Sequence, residues 1–91
     1  MTKDDLIRNV ASKTGVELNT VKRVVEVSME ATMEFLADDE ALFLRGFGTF
    51  LPKHRKAKKA RNISKNTSIE IPAHKTPFFK PSPNFKDKLA K

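Results

Sequence analysis

The chain has 91 residues, with eighteen Lys and Arg against eleven Asp and Glu and a formal net charge of +7; that length has room for one domain and little for a two-lobed enzyme. With no Cys and only His54 and His74, disulfide frameworks, thiolate sites and histidine-rich metal sites are excluded, and neither metal nor cofactor is expected. No run approaches the roughly 18 apolar residues of a membrane span and no signal-peptide apolar region opens the chain, so it reads as a cytoplasmic protein with no membrane partner.

Thr2 followed by Asp5 has the form of a capping box, with Asp in the usual Glu place, and Asp4 and Asp5 suit a helix N-terminus. Leu6, Ile7, Val10 and Ala11 then make one apolar stripe at helical spacing, and Gly15 is a stop signal. A second helix is predicted from about Leu18 to Ala37. It is apolar on two sides, with Val21, Val25, Met29, Thr32 and Leu36 on one and Val24, Ala31 and Phe35 on the other. Such a helix needs two packing partners. The acids Asp38-Asp39-Glu40 that follow read as a solvated loop.

Beyond that loop the pattern changes to strands. Ala41 to Arg45 is a short apolar run, Gly46-Phe47-Gly48 a turn, and Thr49 to about Arg61 one long polar strand. Asn62 to Thr67 is rich in turn formers, and Ser68-Ile69-Glu70-Ile71 alternates as a return strand should. Pro52–Arg61 and Ser68–Lys75 thus form a β-ribbon whose outgoing strand spans about 30 Å, so its tip should project from so small a body. From Lys53 to Arg61, seven of nine residues are Lys, Arg or His and the other two are Ala. A ribbon of this kind has no apolar face to bury. Phe78 and Phe79 return the chain to the body, and Ser82-Pro83 caps a last helix over Asn84–Ala90, docked through Phe85 and Leu89.

The charge divides along the same line. Residues 1–52 hold six basic and nine acidic groups, −3 in all, whereas residues 53–91 hold twelve basic groups against Glu70 and Asp87, +10 in all. That is the footprint of a polyanion-binding surface mounted on a separate support. A body this small is weakly held by a single hydrophobic core, and the second helix has an apolar side to spare; both point to a dimer with a shared core. No nucleophile–base pair or phosphate-binding glycine loop is visible, which reads as a non-enzyme. A single-strand binder places exposed aromatics among its basic residues. None occurs between Phe50 and Phe78, which favours duplex.

The series Leu44-Arg45-Gly46-Phe47-Gly48-Thr49-Phe50, then Arg55, Ala57, Arg61-Asn62, Ile71-Pro72-Ala73 and Phe79-Lys80-Pro81, resembles the HU/IHF family of bacterial histone-like, DNA-bending proteins over essentially the whole chain. The resemblance implies an α+β intertwined dimer with a helical base, a three-stranded antiparallel sheet per chain and protruding β-ribbon arms. It implies one domain over 1–91, with 1–51 and 76–91 as dimer body and 52–75 as DNA-embracing arm. The implied function is architectural. The dimer binds double-stranded DNA through the minor groove with little sequence specificity, prefers bent, nicked or gapped duplex, and bends and compacts it in the nucleoid. A homodimer is expected, with a heterodimer open. Two alternatives stand: an IHF-like subunit with site preference, and a basic RNA- or ribosome-binding protein.

Residue by residue, Arg55, Lys58 and Arg61 match the family's arm positions that contact phosphate and minor groove, with Lys53, Lys59, Asn62 and Lys65 as further arm contacts. Lys3, Gly46, Lys75, Lys80 and Lys86 match positions that hold the DNA backbone, and Phe47, Phe50 and Phe79 match core positions. The family's arm tip reads R-N-P-x-T-G, whereas here it is Arg61-Asn62-Ile63-Ser64-Lys65-Asn66. Asn66 in place of glycine still suits a left-handed turn. Ile63 stands where the family has its wedging proline. Isoleucine is among the apolar wedges that unstack base steps, and it keeps a backbone N–H that proline lacks.

Overall fold

The computed structural model describes residues 1–62 and 67–90; Ile63, Lys65 and Asn66 of the expected arm tip lie outside the described residues. The elements are α1 (Lys3–Thr14), α2 (Leu18–Ala37), β1 (Leu42–Leu44), β2 (Gly48–Arg55), β3 (Lys58–Asn62), β4 (Thr67–Ile71), β5 (His74–Pro81) and α3 (Pro83–Leu89). Helices and antiparallel strands fall in separate blocks, which makes the fold α+β. The chain forms two units, Met1–Glu34 and Phe35–Lys91.

In the first unit α1 opens on the expected capping box. Thr2 Oγ1 accepts from the Asp5 amide at 3.3 Å, and Asp5 Oδ2 accepts from the Thr2 amide at 2.9 Å. The helix ends where Gly15 turns left-handed at φ 73° and donates to the Ala11 carbonyl at 2.9 Å. Lys3 on α1 is joined to Glu26 on α2 at 2.8 Å. Ile7, 3% exposed, and Val21, 5% exposed, are the buried apolar side chains among the described residues. Val10, Ala11, Val25, Ala31 and Thr32 are half-buried, while Leu6, Val24, Val27, Met29 and Met33 are exposed. Val24, Val27 and Ala31 line an open hollow along α2 with Arg23 and Ser28. The doubly apolar helix thus finds only part of its packing within one chain.

The second unit is built on an antiparallel sheet of order β1-β2-β5. Leu42 pairs with Phe50, Phe43 with Thr49 and Leu44 with Gly48; the β2–β5 ladder runs from Gly48 opposite Pro81 to Arg55 opposite His74. Side chains alternate between faces along each strand. One face therefore carries Phe50 and Phe79, with ring centroids 4.8 Å apart. Phe47 lies 5.1 Å from Phe79 and 5.4 Å from Phe85, completing an aromatic cluster. Gly48 is buried, and a Cβ there would come within 2.6 Å of the Lys80 carbonyl oxygen and of the Phe79 ring. Ser82 caps α3 by accepting from the Phe85 amide at 3.2 Å, with Pro83 in the first turn.

Two expectations are corrected. Leu89 does not dock α3, since it is 76% exposed. Phe85 sits one turn from Ser82, whose amide is bonded to the Phe47 carbonyl; Leu89 lies a further turn along the axis, about 6 Å on, past the aromatic cluster. The ribbon is also not one continuous ladder. Pairing stops at Arg55–His74 and resumes at Lys58–Ile71 in a separate two-stranded sheet of β3 and β4. Between them Lys56-Ala57 faces Pro72-Ala73, where proline has no N–H to give to a ladder.

Candidate nucleic-acid interface

Alternation along β2 and β5 decides which cations act together. On the face opposite the Phe50–Phe79 pair, the register sets Thr49 beside Lys80, Leu51 beside Phe78, Lys53 beside Thr76 and Arg55 beside His74. Lys53, Arg55 and Lys80 thus share one face, and all three are exposed. The Lys53 ammonium lies 4.6 Å from the centroid of the Phe78 ring, an exposed cation–π contact. No carboxylate occurs in β1, β2 or β5, so the positive field of this face has no internal counterion on its own strands.

Lys75 is placed differently. It pairs with His54 on the Phe50–Phe79 face, where its ammonium donates to the Ala37 carbonyl at 2.8 Å and lies 3.8 Å from Asp39. A cation at the C-terminal carbonyls of a helix complements the helix dipole. The His54 Nε2–H donates to the same Asp39 carboxylate at 3.0 Å, and Asp39 itself is left-handed at φ 65°. Lys75 and His54 therefore hold the end of α2 and β2 together within this unit.

At the interruption of the ladder, Arg55, Lys56, Ala57, Lys58 and His74 line one hollow. The His74 Nδ1–H donates to the Pro72 carbonyl at 2.9 Å, which fixes that proton and leaves Nε2 for a partner. On β3, Lys58 pairs with Ile71 and Lys59 faces Glu70, an opposite-charge cross-strand position, while Arg61 faces Ser68 and Asn62 faces Thr67. Gly46 sits in the Arg45–Phe47 turn at φ 82°, a conformation open to glycine and costly for a residue with a Cβ. Lys86 is exposed in the last turn of α3. Lys3 belongs to the first unit and is held by Glu26, whose hydrogen bond and charge raise its pKa. Ile63 and Lys65 lie outside the described residues.

His74, which the sequence places at the border of this surface beside Lys75, is set opposite Arg55 by the ladder. Sequence order alone misses two residues: Lys56, which the ladder interruption brings to the same hollow, and Phe43. Phe43, on the edge strand β1, lies on the same face as Lys80 because Phe43 pairs with Thr49 and Thr49 with Lys80. The signal was the three-residue turn between Leu44 and Gly48, which sets the hairpin register and so the face of every β1 side chain.

A sheet face of unopposed cations that runs into a basic two-stranded ribbon is a surface built for a polyanion. Residues 1–90 match the family described as bacterial DNA-binding protein. The chain is 38% identical to the DNA-binding protein HU of Thermus thermophilus over 91 residues, covering all of this chain and 94% of that one. It is 33% identical to integration host factor subunit beta of Marinobacter nauticus, covering 98% of this chain and 92% of the other. Among solved structures it is similar to Anabaena HU in a cocrystal with DNA, with a TM-score of 0.93, 33% identity, and coverage of 99% and 98% of the two chains. The chain belongs to the bacterial DNA-binding protein family of HU and IHF.

Proposed function

We propose that this protein binds double-stranded DNA as a homodimer, through the minor groove and with little sequence dependence, and bends and compacts it as an architectural protein of the nucleoid. The observation that carries this reading is the cationic sheet face of Lys53, Arg55 and Lys80, continued by Lys58 and Lys59 on the β3–β4 ribbon. Residues 1–51 and 76–91 form the dimer body in this reading, and 52–75 the arm. In this reading Arg61, Asn62, Ile63 and Lys65 are further arm contacts, and Lys3, Gly46, Lys75, Lys80 and Lys86 hold the DNA backbone. Lys3 gives up Glu26, and Lys75 its helix-end contact, when phosphate takes their place. Binding to phosphate releases counterions, with a slope in log affinity against log salt of about −0.9 per phosphate neutralised. Ile63 wedges into a base step and kinks the duplex at a cost of a few kcal/mol, so DNA that is already bent or nicked binds better.

The test is fluorescence transfer between the ends of a short duplex, with binding to intact and nicked duplex compared at fixed salt. Wild type should shorten the end-to-end distance at saturation, Ile63→Ala should bend less, and nicked DNA should bind more tightly. Equal bends for wild type and Ile63→Ala would remove the wedge; equal affinity for the two duplexes would remove bending as the source of selectivity. A site-selective reading has one relative in its favour, the integration host factor subunit. Enrichment of a motif from random DNA would replace the non-specific reading with that one.

A further inference from the structure

The cationic face of the sheet also carries two aromatic rings that packing leaves uncovered. Phe43 is 77% exposed and Phe78 40% exposed. The other aromatics of β2, β5 and α3 meet one another in the cluster of Phe47, Phe50, Phe79 and Phe85; among the described residues neither Phe43 nor Phe78 meets another ring. Phe43, Thr49, Lys80 and Gly46 line one hollow, while Phe78 lies beside Leu51 under the Lys53 ammonium. Phe43 and Phe78 flank β2 from opposite sides and are offset by two residues along it. Ordinary strand spacing and rise then put their Cα atoms about 12 Å apart, too far for one base to cover both.

Rings standing among cations on a sheet face are the arrangement by which nucleic-acid-binding sheets stack unpaired bases, because every base has a π-face and every linkage a phosphate. A second copy of this chain is a poor occupant, since it would set Lys53, Arg55 and Lys80 against themselves with no carboxylate on these strands. A lipid surface is poorer still: Thr49 and Thr76 lie on the same face as the rings, so no continuous apolar patch exists to enter hydrocarbon.

We propose that this face is a stacking platform for unpaired nucleobases, such as those of a single-stranded gap, with one base on Phe43, another on Phe78, and the intervening phosphates on Lys80, Lys53 and Arg55. The proposal rests on the nucleic-acid reading above and deepens it. It adds recognition of the exposed bases themselves to any preference that flexibility gives to gapped DNA. When a base arrives at Phe78, the Lys53 ammonium leaves the ring for phosphate, exchanging a weak exposed contact for a charged one.

The experiment measures binding of the full-length protein, at fixed salt, to three labelled DNAs: intact duplex, duplex with a short gap of unpaired thymidines, and the same gap made of abasic linkers. The abasic gap is no stiffer than the thymidine gap, so flexibility alone predicts that it binds at least as tightly. Stacking predicts that the thymidine gap binds roughly fivefold or more tighter for each base engaged. Phe43→Ala and Phe78→Ala should each lose part of that preference and the double variant all of it, read as the ratio of thymidine-gap to abasic-gap affinity within each variant. Phe43→Trp should keep the preference and Phe43→Leu should lose it, since both remain apolar and only one stacks. Equal binding of the two gaps by wild type, or a preference that survives in the double variant, would overturn the platform. So would variants that lower the sedimented mass or abolish binding to anionic vesicles, by assigning the rings to self-association or to a lipid surface. Wild type that ignores intact duplex yet prefers the thymidine gap would overturn the duplex reading and leave the platform standing.

Discussion

Adjacent Phe78 and Phe79 have opposite surroundings, and the difference is one of strand parity. Phe79 stacks with Phe50, 4.8 Å between centroids, while Phe78 turns to the cationic face under Lys53. The glycine that makes the aromatic cluster possible is Gly48, where a side chain would collide with the Lys80 carbonyl and the Phe79 ring at 2.6 Å. Backbone carbonyl and packed ring have little room to yield. Gly48→Ala should therefore cost about 1–3 kcal/mol, the usual range for overpacking, read as a lower denaturant midpoint at unchanged slope. An unchanged midpoint would mean that the β2–β5 pair spreads freely there.

At the scale of elements, the helices were largely legible in the sequence because their signals are local. Thr2 with Asp5, Gly15, and Ser82 with Pro83 each mark an end within four residues, and the structure uses all of them. The strand break at Lys56-Ala57 was missed because pairing depends on Pro72-Ala73 across the ladder and not on neighbours in sequence. The face of Phe43 was missed for the same reason, since it depends on partners in β2 and β5. The Lys3–Glu26 link between α1 and α2 is likewise non-local. Its hydrogen bond and charge hold the Glu26 carboxyl below its ordinary 4.5 and the Lys3 ammonium above its ordinary 10.5. A depressed acid stabilises above its unfolded pKa and loses that contribution as pH falls through the folded value; a raised base stabilises below its unfolded pKa and loses it as pH rises through the folded one. Thermal melts should therefore show wild type above Glu26→Gln by a small, constant margin at neutral pH. The margin should close as pH drops below 4.5, and it should shrink in high salt because both groups face solvent. A margin that persists in acid would assign the effect to packing of the Glu26 side chain.

At the scale of the whole molecule, the first unit is too thinly packed to stand on its own account. Only Ile7 and Val21 are buried apolar side chains among the described residues, while Val24, Val27, Met29 and Met33 face outward on α2. Members of this family form dimers, and the exposed apolar side of α2 is where this chain has most to gain from one. Folding coupled to association makes stability depend on protomer concentration. The melting temperature should rise steadily with protein concentration across the micromolar range, and sedimentation should show twice the chain mass throughout. A melting temperature independent of concentration would require a folded monomer.

The gap in the ladder between Arg55–His74 and Lys58–Ile71 has a kinetic meaning as well as a geometric one. No backbone hydrogen bond couples β3 and β4 to the three-stranded sheet across Lys56-Ala57 and Pro72-Ala73, so the two can open separately. Amide hydrogens of β3 and β4 should then exchange with solvent deuterium on their own clock, far ahead of those in β2 and β5. Bound duplex should slow the first set by a large factor and the second hardly at all. If those rates part, the cooperative unit that carries the aromatic cluster ends at Arg55–His74, two residues before the ribbon begins at Lys58–Ile71.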